Sequence, residues 1–300
     1  MENIPDLPAI KRLSPRVIRI LGGNPSKYTL QGTNTYLVGG GPKRILIDTA
    51  EGKPAWAESL KQILADESAS VDRIILTHWH PDHVGGVQDA KQLSGCGDAQ
   101  IFKSQLDAGR EHVADGQKRD YAPDTKQLDI KDGQKFMTEG ATLRAFHCPG
   151  HTVDHMGFVL EEEDAMFTAD NVLGHGTAVF EDLAAYMDSL ERMQHEFSGR
   201  AYPGHGELIE DGKGKIKEYI SHRKEREQQV LAVLRDPSSK NDGEGWKSMS
   251  IVKIIYKDYP EHLHAPAEGS VVHVLKKMEV DGRVRKNSNG SWSLSEKATL

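Results

Sequence analysis

The chain has 300 residues, a formal net charge of −7 and 37% hydrophobic residues, ordinary values for a globular protein with a sizeable core. The acidic balance argues against a protein that mainly coats nucleic acid, since phosphate binding favours a basic surface. Two cysteines, Cys96 and Cys148, are too few for a disulfide scaffold and suit a reducing compartment. The start, Met1-Glu2-Asn3-Ile4-Pro5-Asp6, reads as neither a secretory signal nor a mitochondrial presequence. No stretch approaches the roughly 18 apolar residues of a membrane span, so a cytoplasmic protein is expected.

In chain order, Arg16 to Ile20 alternates, Thr35 to Val38 is β-rich, and Arg44 to Ile47 runs into Asp48. All three predict strands, with a turn at Gly39-Gly40-Gly41-Pro42. Pro54 opens a helical pattern through Trp56, Leu60, Ile63 and Leu64. Val71 to Leu76 predicts a buried strand, and Val84-Gly85-Gly86 the start of a further helix. Residues 103–128 are polar and predict a surface loop. Strands resume near Thr142 to Phe146, Gly157 to Leu160 and Ala165 to Thr168, giving an α/β fold with a mixed sheet covered by helices.

A domain boundary is expected after Ile209, dividing a catalytic domain, 1–209, from a C-terminal region, 210–300. That region reads as a long charged helix from Ile216 to about Leu234, a linker over 237–243, and helices over Ser250 to Tyr256 and Ala267 to Val280. Short strands around Asn289-Gly290 predict a hairpin. Helices followed by a hairpin predict a winged-helix-like cap.

The chemistry concentrates in Thr77-His78-Trp79-His80-Pro81-Asp82-His83. His78 and His80 share one face of an extended segment, and Pro81 then turns the chain. Imidazoles and a carboxylate are thereby offered to a common point, as a metal site with nitrogen and oxygen ligands requires. His151 in Cys148-Pro149-Gly150-His151-Thr152, Asp170 after Met166 to Ala169, and His205 in Tyr202-Pro203-Gly204-His205-Gly206 each stand at a predicted strand end beside glycine or a turn. With His78, His80, Asp82 and His83 they make seven candidate ligands, enough for two metal ions.

The order His-x-His-x-Asp-His, Gly-His-Thr, Asp, Gly-His-Gly resembles the metallo-β-lactamase superfamily, and Asp48 matches its first, structural aspartate. That resemblance implies an αββα sandwich with a dinuclear site between two sheets. Carried over by position, His78, His80 and His151 would hold one ion, Asp82, His83 and His205 the other, and Asp170 would bridge them. Ala50 and Ala169 stand where the family usually has glycine. Asn24-Pro25, Thr29 to Val38, Gly176 to Leu183 and Tyr219 to Arg223 look like the lactamase-beta-like subgroup. Its members include fungal enzymes that release the product of a non-reducing polyketide synthase from the acyl carrier protein, and an animal endoribonuclease. Glu51 to Trp56 and Phe167 to Gly176 look more like the fungal kind.

Two close divalent ions can share a water and lower its pKa towards about 7, giving a hydroxide nucleophile. Without cysteine ligands Zn²⁺ is the default, and Mn²⁺ or Fe²⁺ also fit. Asp82 is the catalytic candidate, as a ligand whose second oxygen could orient the hydroxide or accept its proton. Asn34, His175 and Phe180 are candidate substrate contacts, with Asp182 a further pocket-shaping residue; His175 could serve as the acid for a ribose leaving group but reads more readily as an exposed loop residue. The resemblance implies a thioesterase of polyketide biosynthesis in secondary metabolism, with an acyl carrier protein as partner and a small acyl thioester as substrate. A single-strand endoribonuclease is the alternative, and a non-enzymatic scaffold a third reading.

Overall fold

Strands that are apolar on both faces must be covered on both, and that requirement builds the layers of this molecule. The computed structural model describes residues 4–106, 113–114, 117–118, 126–236 and 245–295. The first sheet contains β1 (Ile10–Arg12), β2 (Val17–Leu21), β3 (Asn34–Val38), β4 (Lys43–Ile47), β5 (Ser70–Leu76) and β6 (Gln100–Lys103) side by side. A separate short hairpin, β7 (Val113–Ala114) and β8 (Gln117–Lys118), precedes β9 (Gln127–Leu128), which completes the sheet beside β6. Pairing is antiparallel from β1 to β4 and parallel from β4 onward. The second sheet runs β10 (Lys135–Thr138), β11 (Ala141–His147), β12 (Met156–Leu160), β13 (Ala165–Ala169) and β14 (Ala201–Pro203), with only β13 and β14 parallel.

Successive side chains of a strand point to opposite faces, so each apolar run serves two cores. Ile18, Ile20, Leu37 and Leu46 pack on Trp56, Leu60 and Leu64 of α1 (Pro54–Asp66). The same cluster takes in Val84 of α2 (Pro81–Val84) and Val87 and Ala90 of α3 (Val87–Gln92). Their neighbours Val17, Tyr36, Val38, Ile45 and Ile47 face Phe136, Leu143, Phe158 and Phe167 of the second sheet. Tyr36, Phe167 and Tyr202 close this inner layer, with ring centroids 4.7 to 5.7 Å apart. On the far side of the second sheet, α4 (Leu183–Met193) sets Arg192 at 4.9 Å over the Phe146 ring and bonds it to the His147 carbonyl. The result is an αββα sandwich.

The chain divides into two compact units, Met1–Glu181 with Asp188–Lys217, and Asp182–Met187 with Glu218–Leu300. The second holds most of α5 (Gly212–Arg235), then α6 (Ser248–Ile255), α7 (His264–Val280) and the hairpin β15 (Val284–Lys286) and β16 (Trp292–Leu294). Ile251, Val252, Val271, Val274 and Leu275 form its core. Glu227 is nearly buried between Lys277 at 2.8 Å and Arg283 at 3.0 Å. The expected hairpin is present, with Gly290 in its turn at φ 78°.

Three sequence expectations need adjusting. Where a helix was expected to start at Val84, a one-turn helix from Pro81 ends there and α3 starts at Val87; the fixed φ and missing N–H of Pro81 suit a first helical position, so Asp82 and His83 are helical. β1, β6, β10, β14 and α4 had no counterpart in the reading of the sequence; α4 carried a signal, since Asp182 Oδ1 accepts the N–H groups of Ala184 and Ala185 as an N-cap does. The 103–128 loop contains three short strands and otherwise falls mostly outside the described residues, where the 237–243 linker also lies.

Candidate metal centre

Strand ends along one rim of the sandwich deliver the site. Asp48 follows β4, Thr77 to His83 follow β5, His151 follows β11, Asp170 follows β13 and His205 follows β14. The seven candidate ligands come together in two groups, His78, His80, His151 and Asp170 in one and Asp82, His83 and His205 in the other. Within each group the ligand atoms lie within 4.8 Å of one another. Asp170 also reaches the second group, with Oδ1 3.3 Å from His83 Nε2 and Oδ2 3.2 Å from His205 Nε2.

Hydrogen bonds behind the rings decide which nitrogens face inward. Asp48 accepts from Thr77 N at 2.8 Å and Thr77 Oγ1 at 2.9 Å, and its Oδ2 takes His83 Nδ1 at 2.7 Å. Because the Thr77 hydroxyl hydrogen is spent on Asp48, its oxygen must accept from His78 Nδ1 at 2.9 Å. His151 Nδ1 donates to the Val179 carbonyl at 2.8 Å. His78 and His151 therefore present bare Nε2 lone pairs, and both converge on His80 Nδ1 at 2.9 Å. One proton on His80 could satisfy only one of them. A cation satisfies all three, which is the donor set of a metal site.

Other observations fit the same filling. Among the described residues, His83 Nε2 and Asp170 Oδ1 are buried without a hydrogen-bond partner. A Cβ on Gly204 would stand 2.1 Å from Asp170 Oδ1 and 3.1 Å from His83 Cε1, so only glycine lets the chain pass here. Burial, then the neighbouring imidazoles, holds His78 well below its usual range and lowers His80 to about 3. Burial opposes charge on His83 and His205, but the surrounding carboxylates outweigh it and raise both. Burial likewise works against charge on Asp82 and Asp170, and the facing imidazoles overcome it and keep both carboxylates ionised.

Two further features had no role in the reading of the sequence. His155 is fully buried, with Nδ1 3.3 Å from Cys148 Sγ and Nε2 accepting the Asp170 backbone N–H at 3.2 Å. Its signal was a second histidine four residues past His151. Lys103 and Asp154, both buried, pair at 2.7 Å beside Thr152, which donates to Asp154 at 2.7 Å.

A cleft of about 240 Å³ opens above Asp82, His151, Asp170 and His205. Lys27 to Leu30 line one wall, and Leu173 with His175 to Val179 the other. Tyr28 and Val179 stand at 72% and 61% exposure. His175 is thus beside the metal groups. Phe180 is half-buried and outside the lining. Asn34 lies beneath the site instead, its amide donating to the Pro203 and Gly206 carbonyls at 3.0 and 2.8 Å on either side of His205.

Residues 28–205 match the Metallo-beta-lactamase superfamily and residues 248–292 the Beta-lactamase associated winged helix domain. The chain is 44% identical over 284 residues to an "Atrochrysone carboxyl ACP thioesterase" of Aspergillus chevalieri, covering 94% of this chain and 87% of that protein. It is 45% identical to the "Beta-lactamase-like protein 2 homolog" of Drosophila melanogaster, covering 93% of each. A crystal structure of a metallo-beta-lactamase family protein from Thermus thermophilus shares the fold at a TM-score of 0.70 and 23% identity, covering 94% of this chain and 100% of that one. The chain belongs to the metallo-beta-lactamase superfamily and is a hydrolase of that type, with two His/Asp groups placed for metal and a C-terminal winged-helix domain.

Proposed function

We propose that the protein is a metal-dependent thioesterase that releases an acyl chain, of polyketide type, from an acyl carrier protein. The observation that carries this over a nuclease is the lining of the cleft. Leu30, Leu173, Ala178 and Val179 present apolar surface, and Lys27 is the one permanently cationic residue among the described residues lining it. A phosphodiester backbone calls for several cations, whereas an acyl chain calls for apolar walls. The 44% identity to a protein named as an acyl carrier protein thioesterase supports the same reading.

His78, His80, His151 and Asp170 would hold one ion, and Asp82, His83 and His205 the second, with Asp170 shared. When bound, such ions supply Lewis acidity towards the thioester carbonyl and acidify a water. Zn²⁺ suits this nitrogen and oxygen set, and Mn²⁺ and Fe²⁺ are compatible with it. The cleft walls would orient the acyl chain with its carbonyl towards the floor, where Asp82 would take a proton. Water adds to the acyl carbon and the C–S bond breaks, giving a carboxylic acid and a thiol. A thiol of pKa about 8.5 departs as thiolate, so no dedicated acid is required.

The test is purified protein with an acyl N-acetylcysteamine thioester and with acyl-loaded carrier protein, before and after chelation, beside labelled single-stranded RNA. Metal-restored thiol release is expected. Intact thioester with cleaved RNA would replace this reading by the endoribonuclease one.

A further inference from the structure

The loop forming one wall of the cleft continues to Thr33, and Thr33 touches Asp82. Asn24 Oδ1 accepts the Thr33 backbone N–H at 2.9 Å, which turns the other end of the amide, Nδ2, against Thr33 Oγ1 at 3.0 Å. An amide nitrogen donates and does not accept. The Thr33 hydroxyl therefore receives a hydrogen from Asn24, and its own goes to Asp82 Oδ2 at 2.9 Å. Every hydrogen in this relay is directed by covalent structure. Two glycines make room for it: a Cβ on Gly22 would stand 2.6 Å from Asn24 Oδ1, and one on Gly32 3.2 Å away. Asn24 and Thr33 are both buried.

Asp82 Oδ2 is also the oxygen that lies 3.4 Å from His83 Nε2 and 3.3 Å from His205 Nε2. The two oxygens of a carboxylate are chemically alike, and the terminal torsion that exchanges them is soft. Thr33 makes them unlike. We propose that Thr33, its hydroxyl aimed by Asn24, is a positioning residue that fixes Asp82 Oδ2 as the oxygen facing His83 and His205 and keeps Oδ1 uncommitted. The role in turnover rests on the cleft being the hydrolytic site; the role in holding metal does not. The same Asn24 accepts the Thr29 hydroxyl at its backbone carbonyl, and Thr29 lines the cleft. The substrate wall and the carboxylate thus belong to one hydrogen-bonded unit.

Three variants test this in the full chain: Thr33→Val, which keeps the shape without the hydroxyl, Thr33→Ser, which keeps the hydroxyl, and Asn24→Asp. Aspartate has no hydrogen to give, so in Asn24→Asp two carboxylates compete for the one Thr33 hydrogen and its bond to Asp82 is weakened. Each is measured for bound Zn²⁺ against a chelator series and for kcat and KM on the N-acetylcysteamine thioester. Thr33→Val and Asn24→Asp should release one of the two ions at about 10- to 100-fold lower chelator and lose kcat by a similar factor, with KM little changed. Thr33→Ser should stay near the parent in both. Parental chelator resistance in Thr33→Val, or a Thr33→Ser loss as deep as that of Thr33→Val, would overturn the proposal. Should Thr33→Val fail to fold, Asn24→Asp against the parent carries the comparison. A parent without thioester turnover would defeat the thioesterase reading alone, because ion retention still judges Thr33.

Discussion

Asp48 belongs to neither group of candidate ligands, yet its carboxylate takes Thr77 N, Thr77 Oγ1 and His83 Nδ1 together. Replacing it by alanine leaves those buried donors unpaired, at about 1–3 kcal/mol for each neutral group. Asp48→Ala should therefore lower Tm sharply and weaken ion retention, read by calorimetry and elemental analysis. Protons give a second expectation. His80, lowered to about 3 from an ordinary 6.5, opposes folding of the metal-free chain as pH falls through that window, because the unfolded chain then binds more protons. His83 and His205 are raised, so their contribution is present below the ordinary value and is lost as pH rises through their folded values. Metal needs both neutral, so uptake releases protons and tightens with pH; titration calorimetry in buffers of different ionisation heat should show that release. All seven candidate ligands were legible as residues, because four crowd into Thr77 to His83, His151 and His205 each follow a glycine, and Asp170 ends a strand. Asn24 and Thr33 were visible only as part of a resembling stretch, since nothing in one sequence says a threonine hydroxyl meets a carboxylate 49 positions on. Ala50 and Ala169, standing where glycine was the norm, have φ of 53° and 43°. Left-handed backbone costs an alanine about 1–2 kcal/mol, offset by the greater freedom glycine gives the unfolded chain. The strain is the larger of the two, so Ala169→Gly should raise Tm slightly, whereas a β-branched residue there should lower it.

Among the elements, long apolar strands announced themselves, while β14, three residues long, and β10, which begins on an exposed lysine, are too short or too mixed for a period to show. The mid-chain strands β11 to β13 were legible, yet their place in a second sheet opposite the first came only with the family resemblance. Glu227 on α5 is the element-scale joint of the C-terminal unit, tying Lys277 of α7 and Arg283 before β15. Breaking a buried pair costs about 3–5 kcal/mol, less where one partner is part-exposed as Arg283 is. Glu227→Ala should loosen this unit, seen as faster amide exchange in α7, and Glu227→Gln should recover part of the loss.

For the molecule as a whole, no described helix is long and apolar enough to cross a membrane. Ions that bind the native chain alone stabilise it by about 2.7 kcal/mol at a hundredfold excess over Kd. Chelation should therefore lower Tm by several degrees, and adding Zn²⁺ back should restore it. One feature of β5 reaches further. Ile74, Ile75 and Leu76 are all fully buried, with Ile75 in the inter-sheet core and its two neighbours facing the helices. A slip of one residue against β4 or β6 would exchange apolar side chains for apolar side chains, so oil alone sorts the alignments poorly. The grip of Asp48 on Thr77, and the four ligand residues next in line, tolerate a single alignment. Metal content per chain is then a quality-control readout: it counts the fraction of molecules whose central strand has seated correctly.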